Sequence, residues 1–186
     1  MADLITPDEL VAALPDLDGS SDLDALIGAA SAAIEGYCGR PLDAGTESET
    51  FSFDFMAESL WLRRTPVLSI GSVAIDGIEL DPADYKLLNA KTGEIARVSG
   101  RHRRLWPPGI GRVEVQYTGG YSPIPADLKR CCILQVSDLV DAPGRIQSEK
   151  LGDYQYTLAN GDPSGISPNV ARMLGRYRLM RLTSGG

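Results

Sequence analysis

The residues of this chain that could perform acid–base chemistry are few. His102 is the single histidine and lies in the run Arg101-His102-Arg103-Arg104. A catalytic base needs a group that orients it and a nucleophile or substrate proton within hydrogen-bond reach. The sequence around this run suggests neither. We therefore interpret His102 as a solvated loop residue and not as a catalyst.

The same run is a candidate for binding a partner. Arg101, Arg103 and Arg104 are followed by Leu105, Trp106 and two prolines, so a basic loop carries an aromatic residue near its tip. Cations beside an apolar anchor suit an acidic protein surface. The loop could instead contact phosphates, or be a solvated hairpin tip whose Trp106 packs on its own sheet. We predict contact with a protein neighbour through Arg101, Arg103, Arg104 and Trp106.

No cluster of residues predicts a metal or cofactor site. The acids around one turn lack calcium-loop spacing and are interrupted by a proline, so we interpret them as turn residues: Asp76, Glu79, Asp81 and Asp84. The cysteines lack zinc-ligand spacing and are interpreted as buried apolar residues in a reducing compartment: Cys38, Cys131 and Cys132. Phosphate-binding glycine loops and common nucleophile motifs are also missing. We predict a protein without cofactor that is not an enzyme.

Charge is segregated along the chain. Residues 1–60 hold thirteen acids and one base, whereas residues 61–186 hold twelve acids and seventeen bases, for a net charge of −7. An acidic balance argues against a protein that reads nucleic-acid sequence, because phosphate binding needs a basic footprint. Opposite poles suit head-to-tail contact between copies of one chain. A solvated acidic surface that maintains solubility is the alternative.

Length and hydropathy indicate a folded protein. The chain has 186 residues, of which 43% are hydrophobic, and this fits one domain or one domain with a small module. No run of 18 apolar residues occurs, so we expect no membrane span. The N-terminal stretch is acidic and lacks the basic region of a signal peptide.

Three helices have clear sequence signals before residue 143. The first should run from a capping box at Thr6 to about Leu14. The second is predicted over roughly 22–38, and its many small residues allow another backbone to approach closely. A third begins at Pro125 and is apolar nearly all round, which predicts burial on more than one side.

Between the second and third helices the hydrophobic period changes to two. Seven short strands are predicted between Glu49 and Thr118, with turns such as Asp76-Gly77. The chain is therefore predicted to be α+β, with a four-helix scaffold that carries an inserted antiparallel sandwich or barrel-like β-module. The predicted segments are an N-terminal helical part, the β-module, a core helix and an extended arm: 1–46, 47–121, 122–142 and 143–186.

The C-terminal arm is predicted to dock onto another protein. A polar stretch after Pro143 contains one predicted strand, Tyr154–Leu158, and Ser167 caps a last helix. One face of this helix is apolar and the other is basic, and its own domain need not cover the apolar face. We predict that residues 151–179 contact a neighbour through this helix, with these candidates: Val170, Arg172, Met173, Leu174, Arg176 and Tyr177.

Short motifs occur in a fixed order over about residues 21–158. They are the small-residue helix ending in Ile34–Leu42, the segment Arg64–Ile70, the turn Asp76-Gly77, Asp81–Tyr85, Trp106-Pro107, Val113–Tyr121, Ile124–Lys129 and Ser148–Tyr154. Each motif alone is common in proteins. Their ordered combination resembles the longer members of the head–tail connector (adaptor) proteins of tailed bacteriophages, which carry a β-insertion.

The resemblance implies a structural protein of the virion neck, made in the bacterial host cytoplasm. Copies would form a homo-oligomeric ring, typically of twelve, beneath the portal protein, and a tail-side stopper or tail terminator protein would dock below. DNA would pass through the channel without sequence-specific binding. Gene-transfer agents and defective prophages use the same parts. Two other classes remain open from sequence: a tail or capsid accessory module that binds through its β-module, and a small virion-associated hydrolase.

Overall fold

The fold is α+β, as predicted, and contains two compact units. The computed structural model describes residues 3–17, 22–141 and 165–179. We call one unit the β unit (Pro41–Pro123) and the other the helical unit (Met1–Arg40 with Ile124–Gly186). The predicted strand Tyr154–Leu158 and the motif Ser148–Tyr154 lie outside the described residues. The division into four segments stays a prediction.

The helical unit is built from helices whose ends follow local sequence signals. Its α-helices within the described ranges are α1 Pro7–Ala13, α2 Leu23–Cys38, α3 Ala126–Asp141 and α4 Pro168–Leu174. The Thr6 hydroxyl accepts from the Glu9 N–H at 3.3 Å while the Glu9 carboxylate accepts from the Thr6 N–H at 3.2 Å, which confirms the capping box. Gly39 ends α2 at φ +71°, and its N–H donates to the Glu35 carbonyl at 2.8 Å.

Small side chains line the contact between α2 and α3. Ser31 Oγ lies 3.8 Å from Cys132 Sγ, and the neighbouring Ala30 is fully buried. Short side chains at these positions let the two helices approach closely. The surrounding core is apolar and includes Leu10, Ile27, Ile34, Leu128 and Val136.

The β unit contains two four-stranded groups that share one core. Its strands are β1 Gly45–Phe53, β2 Ser59–Trp61, β3 Val67–Ile75, β4 Ile78–Glu79, β5 Tyr85–Asn89, β6 Glu94–Ser99, β7 His102–Arg104 and β8 Gly109–Gly119. One sheet has the order β1-β8-β3-β4, and the other has the order β2-β6-β5 with β7 also paired to β6. All pairings between these strands are antiparallel, as expected for hairpin-rich sequence.

Both sheets contribute buried apolar residues to the core of the β unit. Val73, Val113 and Val115 come from the first sheet, whereas Leu60 and Ile95 come from the second. On β8 the buried residues alternate with exposed ones, which is the pattern of a strand with one face on a core. The predicted Asp76-Gly77 hairpin turn is confirmed, because both residues have positive φ, at 53° and 77°.

The strands of the β unit start and stop at two ends. We call the end where the chain enters and leaves the unit the connection end; it comprises residues 42–45, 62–66, 90–93 and 119–121. There the Tyr121 N–H donates to the Leu42 carbonyl at 2.8 Å. The opposite end, which we call the distal end, comprises 54–58, 76–78 and 99–110.

At the connection end, Arg64 links its own segment to the segment that contains Asp43 and Glu47. Its Nε donates to the Glu47 carboxylate at 3.0 Å, and its Nη1 donates to both the carboxylate and the carbonyl of Asp43, at 2.9 and 2.8 Å. These hydrogen bonds raise the pKa of Arg64 although burial opposes the shift. Gly119 and Gly120 are required by close approach, because a Cβ there would overlap the carbonyl oxygens of Arg64 and Asp43 respectively.

A buried tyrosine extends this network. The Tyr117 hydroxyl donates to the Glu49 carboxylate and accepts from the Arg64 N–H at 2.9 Å, while the Arg63 N–H donates to Glu49 at 2.8 Å. Burial first, and then the hydrogen bond to the carboxylate, raises the pKa of the phenol far above its ordinary value. The connection end is thus fixed by satisfied polar contacts.

Candidate partner-binding surface

The register of the strands brings four connections to the distal end. Phe53 of β1 pairs with Gly109 of β8, so the end of β1 meets the start of β8, and the β3–β4 turn lies beside them because Ile75 pairs with Val113. Along one edge of β6, β2 pairs with Glu94–Ala96 and β7 pairs with the three residues that follow. The β6–β7 turn therefore projects beyond the start of β2.

The distal end carries the most exposed large apolar side chains of the described residues. Ile110 is 95% exposed, Phe55 84%, Ile78 72% and Met56 65%. They come from the β1–β2 connection, the start of β4 and the start of β8, which the β1–β8 pairing and the β3–β4 turn bring to one end. Single exposed apolar residues are ordinary, but four of them gathered at one end of a small unit indicate a contact surface.

Arginines flank these apolar side chains. Arg103 lies 3.2 Å from the Glu58 carboxylate and 3.8 Å from that of Glu94. Within the described ranges, the exposed side chains of Arg101 and Arg104 have no carboxylate within 4.0 Å. The sequence prediction of a basic loop is corrected in one respect, since His102–Arg104 is strand β7 and only its turn is loop. His102 is exposed on that strand.

Trp106 does not act as the exposed anchor that the sequence suggested. It is fully buried in the core of the β unit, and its backbone exchanges hydrogen bonds with Ala57 at 2.7 and 3.2 Å. The alternative in which Trp106 packs on its own sheet is therefore the one that the structure supports. The indole ring is buried because removing its large apolar area from water stabilises the fold more than exposing it would.

The apolar face of α4 is likewise covered by its own unit. Val170 and Leu174 are completely buried, Tyr177 is nearly so, and Met173 is half-buried. The expectation that this face lies open for a partner is therefore wrong for Val170, Leu174 and Tyr177. Two predicted contact residues of this helix, Arg172 and Arg176, are exposed, and their contact with a partner stays a prediction.

Polar contacts hold the segment of α4 at both ends. The Gln135 side chain donates to the Gly165 carbonyl at 3.1 Å and accepts from the Ser167 N–H at 3.4 Å. At the other end Arg40 Nε donates to the Tyr177 carbonyl at 2.9 Å, and the Tyr177 hydroxyl donates to Asp127 at 2.6 Å. These partners are 30 to 137 residues apart in sequence, which is why the helix pattern alone did not predict them.

The described part of the chain offers neither a cluster of metal ligands nor an activated cysteine. No group of three or more His, Cys, Asp or Glu side chains that could hold a metal ion occurs among the described residues. Burial raises the pKa of Cys38 to about 11 and that of Cys132 to about 11. Thiols that stay protonated at neutral pH are poor nucleophiles. No described helix is long and apolar enough to cross a bilayer.

Asp81 and Asp76 have structural roles in their turns. The Asp81 carboxylate caps the following turn by accepting from the Ala83 N–H at 2.8 Å. Arg112 Nε donates to Asp76 at 2.8 Å, and this hydrogen bond lowers the pKa of the Asp76 carboxyl. The exposed apolar side chains and arginines of the distal end can bind a protein surface through apolar contacts and ion pairs. These features suit partner binding more than catalysis.

Comparison with known proteins points in the same direction. A model of the family "head completion protein" matches residues 8–180. The fold is similar to that of chains in three solved particles: the neck of a native GTA particle computed with C12 symmetry, the neck of an empty GTA particle computed with C6 symmetry, and the virion of a native gene transfer agent particle. The TM-score is 0.61 for each.

The likeness spans nearly the whole chain. The first match covers 99% of this chain and 97% of the other at 20% identity, the second covers 94% and 91% at 21%, and the third 99% and 97% at 19%. At this identity the structures establish the shared fold. A search of curated proteins found no match.

Proposed function

The chain belongs to the head completion protein family, and from this premise we propose that it is a structural head–tail connector subunit of a phage-like particle. It acts in the neck, in a ring beneath the portal protein that extends the DNA channel and receives a tail-side stopper or terminator protein. The observation that carries the proposal is the family match over residues 8–180, together with a fold shared almost end to end with a particle neck protein.

A ring of identical subunits fits the charge and surface of the chain. The neck of the similar particle was computed with twelvefold symmetry in one case and sixfold in another. We propose twelve copies here. A net charge of −7 disfavours tight binding to duplex DNA, so DNA is proposed to pass through the ring without being held by it.

The distal end of the β unit supports the rival proposal of an accessory module. That surface could bind a capsid or tail protein without any ring being formed. A catalytic role has no such support: the family assignment favours a structural part, and the described residues contain no group of three or more side chains that could hold a metal ion.

Imaging of particles assembled with this chain tests the proposal. Purified particles, or necks released from them, should show a closed ring of this chain between the portal and the tail, and quantitative mass measurement should give about twelve copies. One or two copies per particle would rule out the ring and favour the accessory module. Particles made without this chain should contain DNA-filled heads that lack tails.

A further inference from the structure

We propose that the distal end of the β unit binds the α1–α2 face of the next copy in the ring. This inference rests on the proposed connector function and adds the pair of surfaces that forms the contact. The α1–α2 face comprises the exposed residues of 3–17 and the first two turns of α2. The two surfaces are complementary in charge and in side-chain size.

The α1–α2 face is acidic throughout. Residues 3–39 contain no Lys or Arg, and Asp8, Asp16, Asp22 and Asp24 are exposed. In the structure as described, none of these four carboxylates forms an ion pair; the one ion pair on this face joins Glu9 to Lys129 of α3. Unpaired carboxylates of one sign attract a basic partner and repel a second copy of the same face.

The apolar residues of this face are small. Ala12 and Ala13 are exposed at the end of α1, and Ala25 and Ala29 are exposed on α2. Apart from Pro7 and Pro15, the exposed apolar side chains between the carboxylates are methyl groups, which leaves shallow space for larger side chains. The face therefore lacks anchors of its own and suits a partner that supplies them.

The distal end supplies what the α1–α2 face lacks. Phe55, Met56 and Ile110 are long or bulky anchors that stand out from the β unit, and Arg101 and Arg104 are cations without a described carboxylate partner. One exposed carboxylate of the distal end, Asp54, also has no described ion pair, so the unpaired cations Arg101 and Arg104 outnumber it two to one. The anchors therefore fit against alanines, and the remaining guanidinium charge fits against the carboxylates of the α1–α2 face. Each copy carries one surface of each kind, so the contact is heterologous and repeats from copy to copy, which is how a ring is built.

Cross-linking within assembled particles tests the contact directly. A chain with Arg101→Cys and Asp16→Cys is assembled into particles and treated with a short reagent that joins two thiols. The chain's own cysteines are buried with pKa values raised by that burial, so they react slowly. A covalent ladder of dimer, trimer and larger multimers is expected, because each copy links to two neighbours.

Matched controls separate this contact from chance proximity. Each single-cysteine variant should give no ladder, since a heterologous contact does not bring identical positions together. Asp16→Cys combined with Lys91→Cys should also give none, because Lys91 is exposed at the connection end. A ladder from that control, or cross-links from residue 101 to a different particle protein only, would overturn the inference.

Charge exchange provides a second test that does not depend on a reagent. Reversing Arg101, Arg103 and Arg104 to Glu should lower the incorporation of the chain into particles by about tenfold or more, and so should Asp8, Asp16 and Asp22 to Lys. A chain with both sets of changes should be incorporated into particles at close to the original level. Normal rings with neither loss nor ladder would disprove this contact while the connector function stands, whereas particles without any ring would disprove the connector function itself.

Discussion

The two ends of the β unit use the same residue types in opposite ways. At the connection end, Arg64 is largely buried and forms ion pairs with Asp43 and Glu47. At the distal end, Arg101 and Arg104 are exposed, and no carboxylate lies within 4.0 Å of them in the described ranges. The polar contacts of the connection end stabilise the fold of the β unit. The cations and large apolar side chains of the distal end are exposed to solvent and can contact a partner.

The difference teaches that exposure and pairing, more than composition, separate structural residues from contact residues. An arginine whose N–H donors already pair with carboxylates of its own chain has few donors free to bind a partner. A cation held in water by the fold retains its attraction for an outside carboxylate. Substitutions of the exposed residues at the distal end should therefore mainly weaken assembly, whereas substitutions in the polar network of the connection end should lower stability.

The largest loss of stability is expected from Trp106→Ala. This residue lies at the distal end but belongs to the core, so its removal leaves a cavity that should lower the free energy of unfolding by about 3–5 kcal/mol. Urea denaturation followed by tryptophan or circular-dichroism signal measures the change. Ile110→Ala, a few residues away and almost fully exposed, should change the free energy by less than about 0.5 kcal/mol. Equal effects would mean that the distal end is not divided into core and surface.

Gly120→Ala should disrupt the connection end by a different mechanism. The added Cβ would overlap the Asp43 carbonyl, and the backbone has φ +100°, where alanine is strained. We expect a loss of about 3 kcal/mol in the free energy of unfolding. Gly77→Ala is the matched control, because its φ is also positive but nothing lies within 4 Å of the added carbon. That variant should lose only about 1 kcal/mol.

Arg64→Met should lower the free energy of unfolding by about 2 kcal/mol, since it leaves Asp43 and Glu47 without their hydrogen-bond donors. Arg103→Met removes a pair that is more exposed and should cost less than about 0.5 kcal/mol. Both are measured by equilibrium denaturation of the isolated chain. A larger loss from Arg103 than from Arg64 would reverse the comparison between the two ends.

The triple variant of Arg101, Arg103 and Arg104 to Ala should leave the melting temperature almost unchanged and still weaken assembly. Substitution of exposed residues away from structural contacts changes stability by about 0.5 kcal/mol or less. The assembly defect should be altered by added salt, because salt screens contacts between exposed charges. Salt-independent assembly would indicate that apolar anchors alone form the contact.

The smallest effect concerns the pH response of the Asp76–Arg112 pair. The hydrogen bond from Arg112 lowers the Asp76 pKa below its ordinary 3.8. Its stabilising contribution is thus present above the pKa of the unfolded chain and disappears as the pH falls through the lower value of the folded chain. Titration of the Asp76 carboxyl by NMR should show a midpoint under 3.8 that rises in Arg112→Met. An unchanged midpoint would contradict the pairing.

Features encoded by neighbouring residues were predictable from the sequence. The capping box at Thr6, the end of α2 at Gly39, the turn at Asp76-Gly77 and the alternation in β8 each depend on a few adjacent residues. The fold class followed from their order. The family resemblance pointed to the head–tail connectors, and the match to head completion proteins agrees with it.

Features that depend on distant pairing were not predictable. The exposure of Phe55 and Ile110 follows from the pairing of Phe53 with Gly109, which are 56 positions apart. Trp106 and the apolar face of α4 have the composition of binding surfaces, yet the same hydrophobicity buries them when their own unit offers a place. No local pattern distinguishes an apolar residue that waits for a partner from one that already has a core.

The hydrogen bond between Tyr121 and Leu42 closes the β unit where the chain enters and leaves it. Hydrogen-bonded neighbouring strands lie about 4.8 Å apart, so the points where the chain enters and leaves the β unit are separated by about the width of one strand. A genome could add or delete the whole unit by joining two adjacent points, with a single turn as replacement. The two ends of the inserted β unit therefore lie side by side, at the hydrogen bond of Tyr121 to Leu42 and the bridge of Tyr121 to Asp43.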